Sequence, residues 1–282
     1  MWAAIDGYQE ITLHTTYQGR DYICLSPTGR HGNTRVQFQN ACGSLRWHLA
    51  HSVSRSARRG AAMECFEDRS HAGRLLGQLL APYRARADVV VLGLPRGGVP
   101  VAFEVATALE APLDVMVVQK IGAPGVREFI VGAIAPGGVV ALNDDALGPW
   151  LDTPDFRFGA LREGVEMKRR EALYRRKCAP LILSGRTVIL VDDGAATGAS
   201  MRAALRSARM SGAARVIVAL GVAPKELLPV FRIEADDAVC ALIAAHFCSV
   251  AQHYCNFSYV ADEEITPRLH PARLPDYHKV PS

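Results

Sequence analysis

The segment 188–200 constrains the chain more than any other, and it reads VILVDDGAATGAS. Its four apolar residues suffice for a buried strand of a parallel sheet, and two carboxylates, Asp192 and Asp193, follow where that strand would end. Small residues come next, and a helical pattern continues through Met201, Leu205 and Ala208. Because open parallel sheets bind ligands at the carboxyl ends of their strands, this order predicts a ligand site.

The chemistry of this segment favours a phosphorylated sugar. Small side chains let the main chain approach a bound group, and amides at a helix N-terminus make a seat for a phosphate. Asp192 and Asp193 repel a phosphate and suit sugar hydroxyls, a magnesium ion or a developing positive charge instead. The alternative is a buried strand with an Asp cap and a glycine-rich turn. The predicted phosphate seat consists of Ala195, Ala196, Thr197, Gly198, Ala199 and Ser200.

Other site classes lack their signatures. The segment lacks the Gly-Lys-Ser/Thr of a Walker A loop, and it differs from a GxGxxG dinucleotide turn, whose acidic residue lies well downstream rather than at the end of the strand. Its nine His show no HExxH spacing, and its seven Cys form no CxxC pair, which argues against zinc and fits a reducing cytoplasm. No apolar run reaches about 18 residues, and the first residues lack the regions of a secretory signal, so we expect a cytoplasmic protein without a membrane span.

The positive charge is confined to the start of the chain. Residues 1–62 hold seven Arg, no Lys and three acids, whereas 63–282 hold 25 basic and 25 acidic residues. Nucleic acid is therefore not an expected partner of the globular part. For residues 1–62 we expect a disordered tail, or translated sequence upstream of a start at Met63, rather than a functional basic arm. We expect one domain over 63–266 and a tail over 267–282.

Strand and helix patterns alternate from residue 67 onward, which predicts an α/β fold with a doubly wound, mainly parallel sheet. A strand pair is predicted over 129–135 and 139–143, around a Pro-Gly-Gly turn. The other predicted strands are 89–94, 113–118, 187–192, 216–222 and 237–244. Leucines at helical spacing over 75–80 predict a first helix, with Asp68 or Ser70 as its cap and Pro82 near its end. The other predicted helices are 99–109, 156–177, 199–210 and 225–231, the last opened by Pro224.

Two further loops carry candidate charges. Pro95-Arg96-Gly97-Gly98 follows the first core strand, and a glycine pair there permits a tight turn with bare amides beside the fork of Arg96. Such a loop suits a pyrophosphate, although an ordinary turn with a surface Arg has the same pattern. The Gly and Pro content of 120–128 predicts a mobile loop that carries Lys120 and Arg127.

The segment 188–200 resembles, at every position, the motif with which type I phosphoribosyltransferases bind phosphoribosyl pyrophosphate (PRPP). Met63 onward is also similar to a bacterial group of uncharacterised predicted phosphoribosyltransferases, and the likeness covers residues 63–266. One departure is Gln119, where relatives are expected to have a basic residue. The matching pieces are 66–69 with Ala72-Gly73, 94–102, 120–125 with Glu128, Gly132-Ala133, the aromatic residues around 247–257, and 262–264.

The resemblance implies transfer of ribose 5-phosphate from PRPP to an unidentified acceptor, a nucleobase among the candidates, with release of pyrophosphate. Residues 195–200 would hold the 5-phosphate. Asp192 and Asp193 would hold the ribose hydroxyls. They would also hold Mg²⁺ indirectly, through these hydroxyls or through water. Arg96, Gly97 and Gly98 would hold the pyrophosphate, which Lys120 would stabilise as it leaves, under a closing loop. A non-catalytic PRPP or nucleotide sensor is the alternative, and a phosphatase or kinase using an Asp nucleophile is disfavoured. A homodimer is common for such folds.

The resemblance also implies a small hood over the acceptor at 247–257. There Tyr254 and Phe257 are candidates to stack on a flat ring, and His246 and His253 to donate hydrogen bonds to it. The alternative is an aromatic plug that closes the edge of the sheet, with Phe247, Val250 and Tyr254 at helical spacing.

Overall fold

The computed structural model of the chain describes residues 65–143, 153–175 and 182–269, with main chain alone for 126–128. Before them it describes only the main chain of four short strands, β1 (Tyr8–Gln9), β2 (Thr15–Tyr17), β3 (Arg20–Tyr22) and β4 (Ser26–Pro27). The pairs β1–β4 and β2–β3 are antiparallel. The chain divides into two compact units, Met1–Ala61 and Ala62–Ser282. The expected start at Met63, the rest of 1–62 and most of the tail lie outside the described residues.

A five-stranded parallel sheet forms the centre of the second unit. Its strands are β5 (Val89–Gly93), β6 (Leu113–Val115), β10 (Thr187–Gly194), β11 (Arg215–Pro224) and β12 (Asp237–Ala244), in the order β12-β11-β10-β5-β6. Val188 pairs with Val90 on one side and with Val216 on the other, so β10 is central. Its apolar residues 188–191 are fully buried, as expected for a strand covered on both faces.

Helices cover both faces of this sheet, which confirms the predicted α/β doubly wound fold. They are α1 (Arg69–Leu79), α2 (Gly98–Leu109), α3 (Pro154–Arg175), α4 (Ala199–Met210), α5 (Leu227–Glu234) and α6 (Ile265–Leu269). Alternate residues of β10 enter different cores: Ile189 and Val191 pack with α2, whereas Val188 and Leu190 pack with α4 and α5. In the described residues, no helix is long and apolar enough to span a membrane.

A second, antiparallel sheet stands beside the first and consists of β7 (Gln119–Ala123), β8 (Val126–Ala135) and β9 (Val139–Leu142). It confirms the predicted strand pair around 136–138. The prediction of a loop over 120–128 is wrong, because the backbone there forms a hairpin. Only Pro124-Gly125 turns, with Gly125 at φ 79°, and Pro followed by Gly is typical of a type II turn.

Two predicted boundaries also differ. The strand predicted over 113–118 ends at Val115, since its neighbour β5 ends at Gly93 and offers only the Gly93 carbonyl to the amide of Met116. Pro224 does not open a helix. It ends β11, where it pairs with Ala244, and α5 begins three residues later at Leu227.

Candidate active site

The candidate site lies at the carboxyl ends of β5 and β10, which are neighbours in the sheet. Leu94, directly after β5, donates its amide to the carbonyl of Val191 over 2.9 Å, so the two following turns leave the sheet side by side. A cavity of about 410 Å³ opens between them. Its lining residues are Leu94–Gly97, Val118, Lys120, Asp192–Gly194, Ala196, Ser200, Ser249–Ala251 and Phe257.

The glycine pair after β5 packs directly against the acid pair after β10. A Cβ on Gly97 would overlap Oδ2 of Asp193, and a Cβ on Gly98 would lie 2.7 Å from the carbonyl oxygen of Val191 and 2.9 Å from Oδ1 of Asp192. Any side chain at these two positions would displace the strand end or its carboxylates. The sequence pattern Gly-Gly is thus required by the close approach of two loops. The Pro95–Arg96 peptide in the same loop is cis.

The two carboxylates differ in their partners. Oδ1 of Asp192 accepts the main-chain amide of Asp193 over 2.9 Å, and Oδ2 of Asp193 accepts Nε of Arg69 over 2.8 Å. Burial raises the pKa of Asp192 well above its usual range, and the Asp193 charge adds to this. Burial also raises the pKa of Asp193, although the positive charge of Arg69 and, after it, that of Lys120 lower this pKa in part. The pair therefore favours any ligand that brings positive charge or hydroxyl donors to it.

Arg69 is a residue of the site to which the sequence assigned no role. It is the first residue of α1, after the N-cap Asp68, whose side chain accepts the amide of His71. Its guanidinium lies 3.8 Å from the centre of the Phe257 ring and donates to the carbonyl of Ser258 over 2.7 Å, besides its bond to Asp193. Arg69 thereby connects the acid pair to the segment 257–260.

The predicted pyrophosphate residue Arg96 points to the same segment. It donates to the hydroxyl of Tyr259, stacks on that ring at 4.4 Å from its centre, and lies 3.7 Å from Asp262. A second cavity of about 380 Å³ adjoins the first here, lined by Arg69, Arg96, Gly97 and residues 257–260. Arg96 lines both cavities.

Lys120 lies on β7 with its side chain exposed, among the residues that line the first cavity. Its charge lowers the pKa of both Asp192 and Asp193. The hairpin, rather than a loop, thus positions the one predicted lysine of the site. Gln119 beside it is buried on the other face of the strand, and the side chain of Arg127 lies outside the described residues.

The predicted phosphate seat forms the turn between β10 and α4. Gly198 has φ 79°, and the helix begins with Ala199. Ala196 and Ser200 line the cavity, and Thr197 is exposed beside them. Ala195 and Ala199 are buried, and the amide of Ala195 donates to the carbonyl of Val222 over 3.0 Å. The amides available to a ligand are therefore those nearer the start of α4.

The two predicted acceptor residues occupy different places. Phe257 lines both cavities. Tyr254 is only 5% exposed, packs at 5.0 Å from the ring of Phe66, and donates its hydroxyl to the main-chain carbonyl of Asp193. It supports the acid pair from within the core, as an aromatic plug does, and lines neither cavity. His253 is buried and stacks with Phe247, whereas His246 is exposed.

The acid pair also fits the magnesium ion that the resemblance implies. Within the described ranges, no three His, Cys, Asp or Glu side chains converge on one point. Asp192 and Asp193 offer carboxylate oxygens as metal ligands in one cavity, and Oδ2 of Asp193 already accepts a hydrogen bond from Arg69. Such a set suits Mg²⁺, which keeps several waters and is commonly held by one or two carboxylates together with substrate phosphates.

Comparisons with known proteins identify the family of the chain. The family model "Phosphoribosyl transferase domain" matches residues 69–240. Two Mycobacterium tuberculosis relatives, each named "Putative phosphoribosyl transferase", are 45% identical over 208 residues, which is 73% of this chain and 47% of theirs. The chain thus spans about half the length of these curated relatives. The crystal structure of TT1426 from Thermus thermophilus is 42% identical, covers 74% of this chain and 99% of its own, and superposes with a TM-score of 0.62. The chain belongs to the phosphoribosyl transferase domain family.

Proposed function

We propose that the chain transfers the 5-phosphoribosyl group of PRPP to an acceptor, with release of pyrophosphate. The observation that carries the proposal is the close packing of the loop at Gly97-Gly98 against Asp192 and Asp193, in one cavity with Lys120. In this proposal one anion binds at the loop of Arg96, where the amide of Gly98 itself donates to the carbonyl of Leu94 over 3.0 Å, and the other binds at the turn before α4, so the two loops flank one pair of carboxylates. A ligand with a phosphate at each end of a sugar matches that order of charges.

In this proposal the 5-phosphate binds at the start of α4, where Ser200 adds a hydroxyl donor. Asp192 and Asp193 accept hydrogen bonds from the ribose hydroxyls. Their negative charge stabilises the positive charge that grows on the sugar ring as the bond to pyrophosphate breaks, so the electrostatic contribution is larger in the transition state than in the ground state. Catalysis rests on placement and charge rather than on a covalent intermediate.

The leaving pyrophosphate lies at the loop of Arg96, Gly97 and Gly98, within reach of Lys120. Asp192 and Asp193 would hold Mg²⁺ indirectly, through ribose hydroxyls or water, and the ion would supply positive charge to the leaving pyrophosphate. Arg69 keeps Asp193 in a fixed orientation before the substrate arrives. Phe257 packs under the guanidinium of Arg69 and 5.2 Å from the ring of Tyr254, and it contacts the acceptor with the part of its ring that lines the cavities.

The experiment is a screen of nucleobases and other amine acceptors with PRPP and Mg²⁺, read out as release of pyrophosphate. Lys120→Met is expected to lower kcat/KM by about 10²-fold, the order found when one charge-stabilising donor is removed. Lys225→Met is the matched control, because Lys225 is exposed and its partner Glu226 is its neighbour in the chain. Equal rates for the two variants would contradict the role of Lys120.

Binding of PRPP without release of pyrophosphate in the presence of any acceptor would favour the alternative of a non-catalytic sensor. Release of phosphate in the absence of any acceptor would instead favour hydrolysis with an Asp nucleophile. If the folded protein neither binds PRPP nor turns it over, the proposal is overturned.

A further inference from the structure

Two cysteines far apart in the chain meet at the protein surface. Sγ of Cys65 lies 2.8 Å from Sγ of Cys255, and the two residues are 190 positions apart. A disulfide has a sulfur–sulfur distance of about 2.05 Å, so the sulfurs need to approach by less than about 1 Å to become bonded. Of the cysteines in the described residues, these two form the sulfur–sulfur contact.

The main chain holds this pair together independently of the sulfur atoms. The amide of Phe66 donates to the carbonyl of His253 over 2.8 Å, and the amide of Cys255 donates to the carbonyl of Phe66 over 2.7 Å. A third bond of 2.8 Å joins the amide of Asn256 to the carbonyl of Glu67. The ring of Phe66 is fully buried against Tyr254. The two thiol-bearing residues are therefore positioned by packed structure rather than by chance contact of flexible side chains.

The environment of its thiol distinguishes a third cysteine, Cys240, from this pair. Cys255 is exposed and Cys65 is partly exposed, so a dissolved oxidant can reach them. Cys240 in β12 is partly exposed, as Cys65 is, but its thiol donates to the carbonyl of Leu242 over 3.2 Å, and desolvation raises its pKa to about 11, which disfavours the reactive thiolate. Cys248 is exposed in the same surface segment as Cys255 and serves as an internal comparison.

We propose that Cys65 and Cys255 are an oxidation site that forms an intramolecular disulfide with a peroxide as the oxidant. One thiolate attacks a peroxide oxygen, which breaks the oxygen–oxygen bond and yields a sulfenic acid and, with hydrogen peroxide and a proton, one water. The second thiolate then attacks the sulfenic sulfur, and hydroxide leaves and is protonated to water. The two thiols are oxidised by two electrons, and the peroxide is reduced to two waters.

The position of this bond gives it a consequence for the site. Cys65 lies four residues before Arg69, and Cys255 lies between Tyr254, which bonds to Asp193, and Phe257, which stacks with Arg69. The disulfide would join the start of α1 covalently to the segment that lines both cavities. It closes a long chain loop, and cross-links of this kind restrict the unfolded state, so the oxidised protein should unfold at a higher temperature.

The test uses the full chain, reduced and then freed of reductant. It is exposed to equimolar hydrogen peroxide, alkylated, and digested without reduction by trypsin and chymotrypsin. Trypsin cleaves after Arg59 and chymotrypsin after Phe66, which places Cys65 in the peptide 60–66, and cleavage after Tyr254 separates Cys255 from Cys248. Mass spectrometry should find these two peptides cross-linked, with the loss of two hydrogens from the intact monomer. The oxidised monomer should melt at a higher temperature, and a reductant should reverse both changes.

Cys248→Ser is the matched control and should form the cross-link as the natural sequence does, whereas Cys255→Ser should not. The proposal is overturned if Cys65 and Cys255 are recovered separately alkylated, if each is oxidised to a sulfinic acid, or if either cross-links to a second chain. None of these readouts involves PRPP. Failure here therefore leaves the proposed transferase activity untouched, and the reverse also holds.

Discussion

Replacement of Arg69 by Met should destabilise the protein in a pH-dependent way. The substitution keeps an unbranched side chain over Phe257 and removes the counter-ion of Asp193, where both side chains are nearly buried, at 11% and 12% exposed. Breaking a buried ion pair on one side costs about 3–5 kcal/mol. Asp193 relieves part of that cost by binding a proton, since burial already raises its pKa. We therefore expect a loss of about 3 kcal/mol in unfolding free energy at pH 8, or about 6–12 °C in melting temperature.

The pH dependence follows from the raised pKa. A carboxyl with a higher pKa in the folded state holds its proton after the unfolded state has ionised, so stability falls as the pH rises above the unfolded value. Without Arg69 the pKa of Asp193 rises further, because the charge that opposed the effect of burial is gone. The loss caused by the substitution should therefore be smaller at pH 5 than at pH 8, because the uncompensated carboxyl of Asp193 binds a proton more readily at the lower pH.

Urea denaturation followed by circular dichroism, at several pH values from 5 to about 8, measures this difference. Arg74→Met is the matched control, since Arg74 is exposed on the same helix. It should change the unfolding free energy by less than about 0.5 kcal/mol at every pH. A loss at Arg69 that equals the control, or that grows as the pH falls, would refute the assignment of Arg69 as the counter-ion of Asp193.

Three further predictions concern the same site. Asp192→Asn keeps the oxygen that accepts the Asp193 amide and removes the carboxylate charge that burial disfavours. Urea denaturation should show that the free energy of unfolding rises by about 1 kcal/mol at pH 8 and that this gain disappears near pH 4, whereas a loss of stability at pH 8 would contradict the prediction. Gly98→Ala should cost about 1–3 kcal/mol, because its Cβ would overlap main-chain atoms, whereas Gly159→Ala, with open space around it, should cost nothing; equal thermal melts would count against the close packing. Tyr254→Phe should cost about 1–3 kcal/mol in the same denaturation assay, because the buried carbonyl of Asp193 loses its donor, and an unchanged midpoint would argue against that bond.

The fold could be predicted because its signals are local. The apolar run 188–191, the acid pair and the small-residue turn each act within a few residues, and the parallel sheet follows from the alternation of such strands with helices. The glycine pair at 97–98 could be located in the same way. Its contact with Asp192 and Asp193 depends on which strands become neighbours, and here β5 and β10 do.

The wrong loop prediction over 120–128 and the missed role of Arg69 have one cause: both depend on contacts with parts of the chain that no local pattern identifies. Gly122 and Pro124-Gly125 suggested a loop, but the alternation of buried Gln119, Ile121 and Ala123 with exposed Lys120 is that of a strand, and it needs β8 as a partner to form. Arg69 and Asp193 are 124 positions apart, and no local pattern reports an ion pair at that distance.

The most direct test of the central claim is a calorimetric titration of the full chain with PRPP in the presence of Mg²⁺. We predict saturable binding at one site per chain, with affinity reduced at least about tenfold in Asp193→Asn, which corresponds to the loss of about 1.4 kcal/mol. Lys225→Met should bind PRPP as the natural sequence does. No heat of binding with the folded protein, or equal affinity in the Asp193 variant, would contradict the claim that the cavity between the glycine pair and the acid pair is a PRPP site.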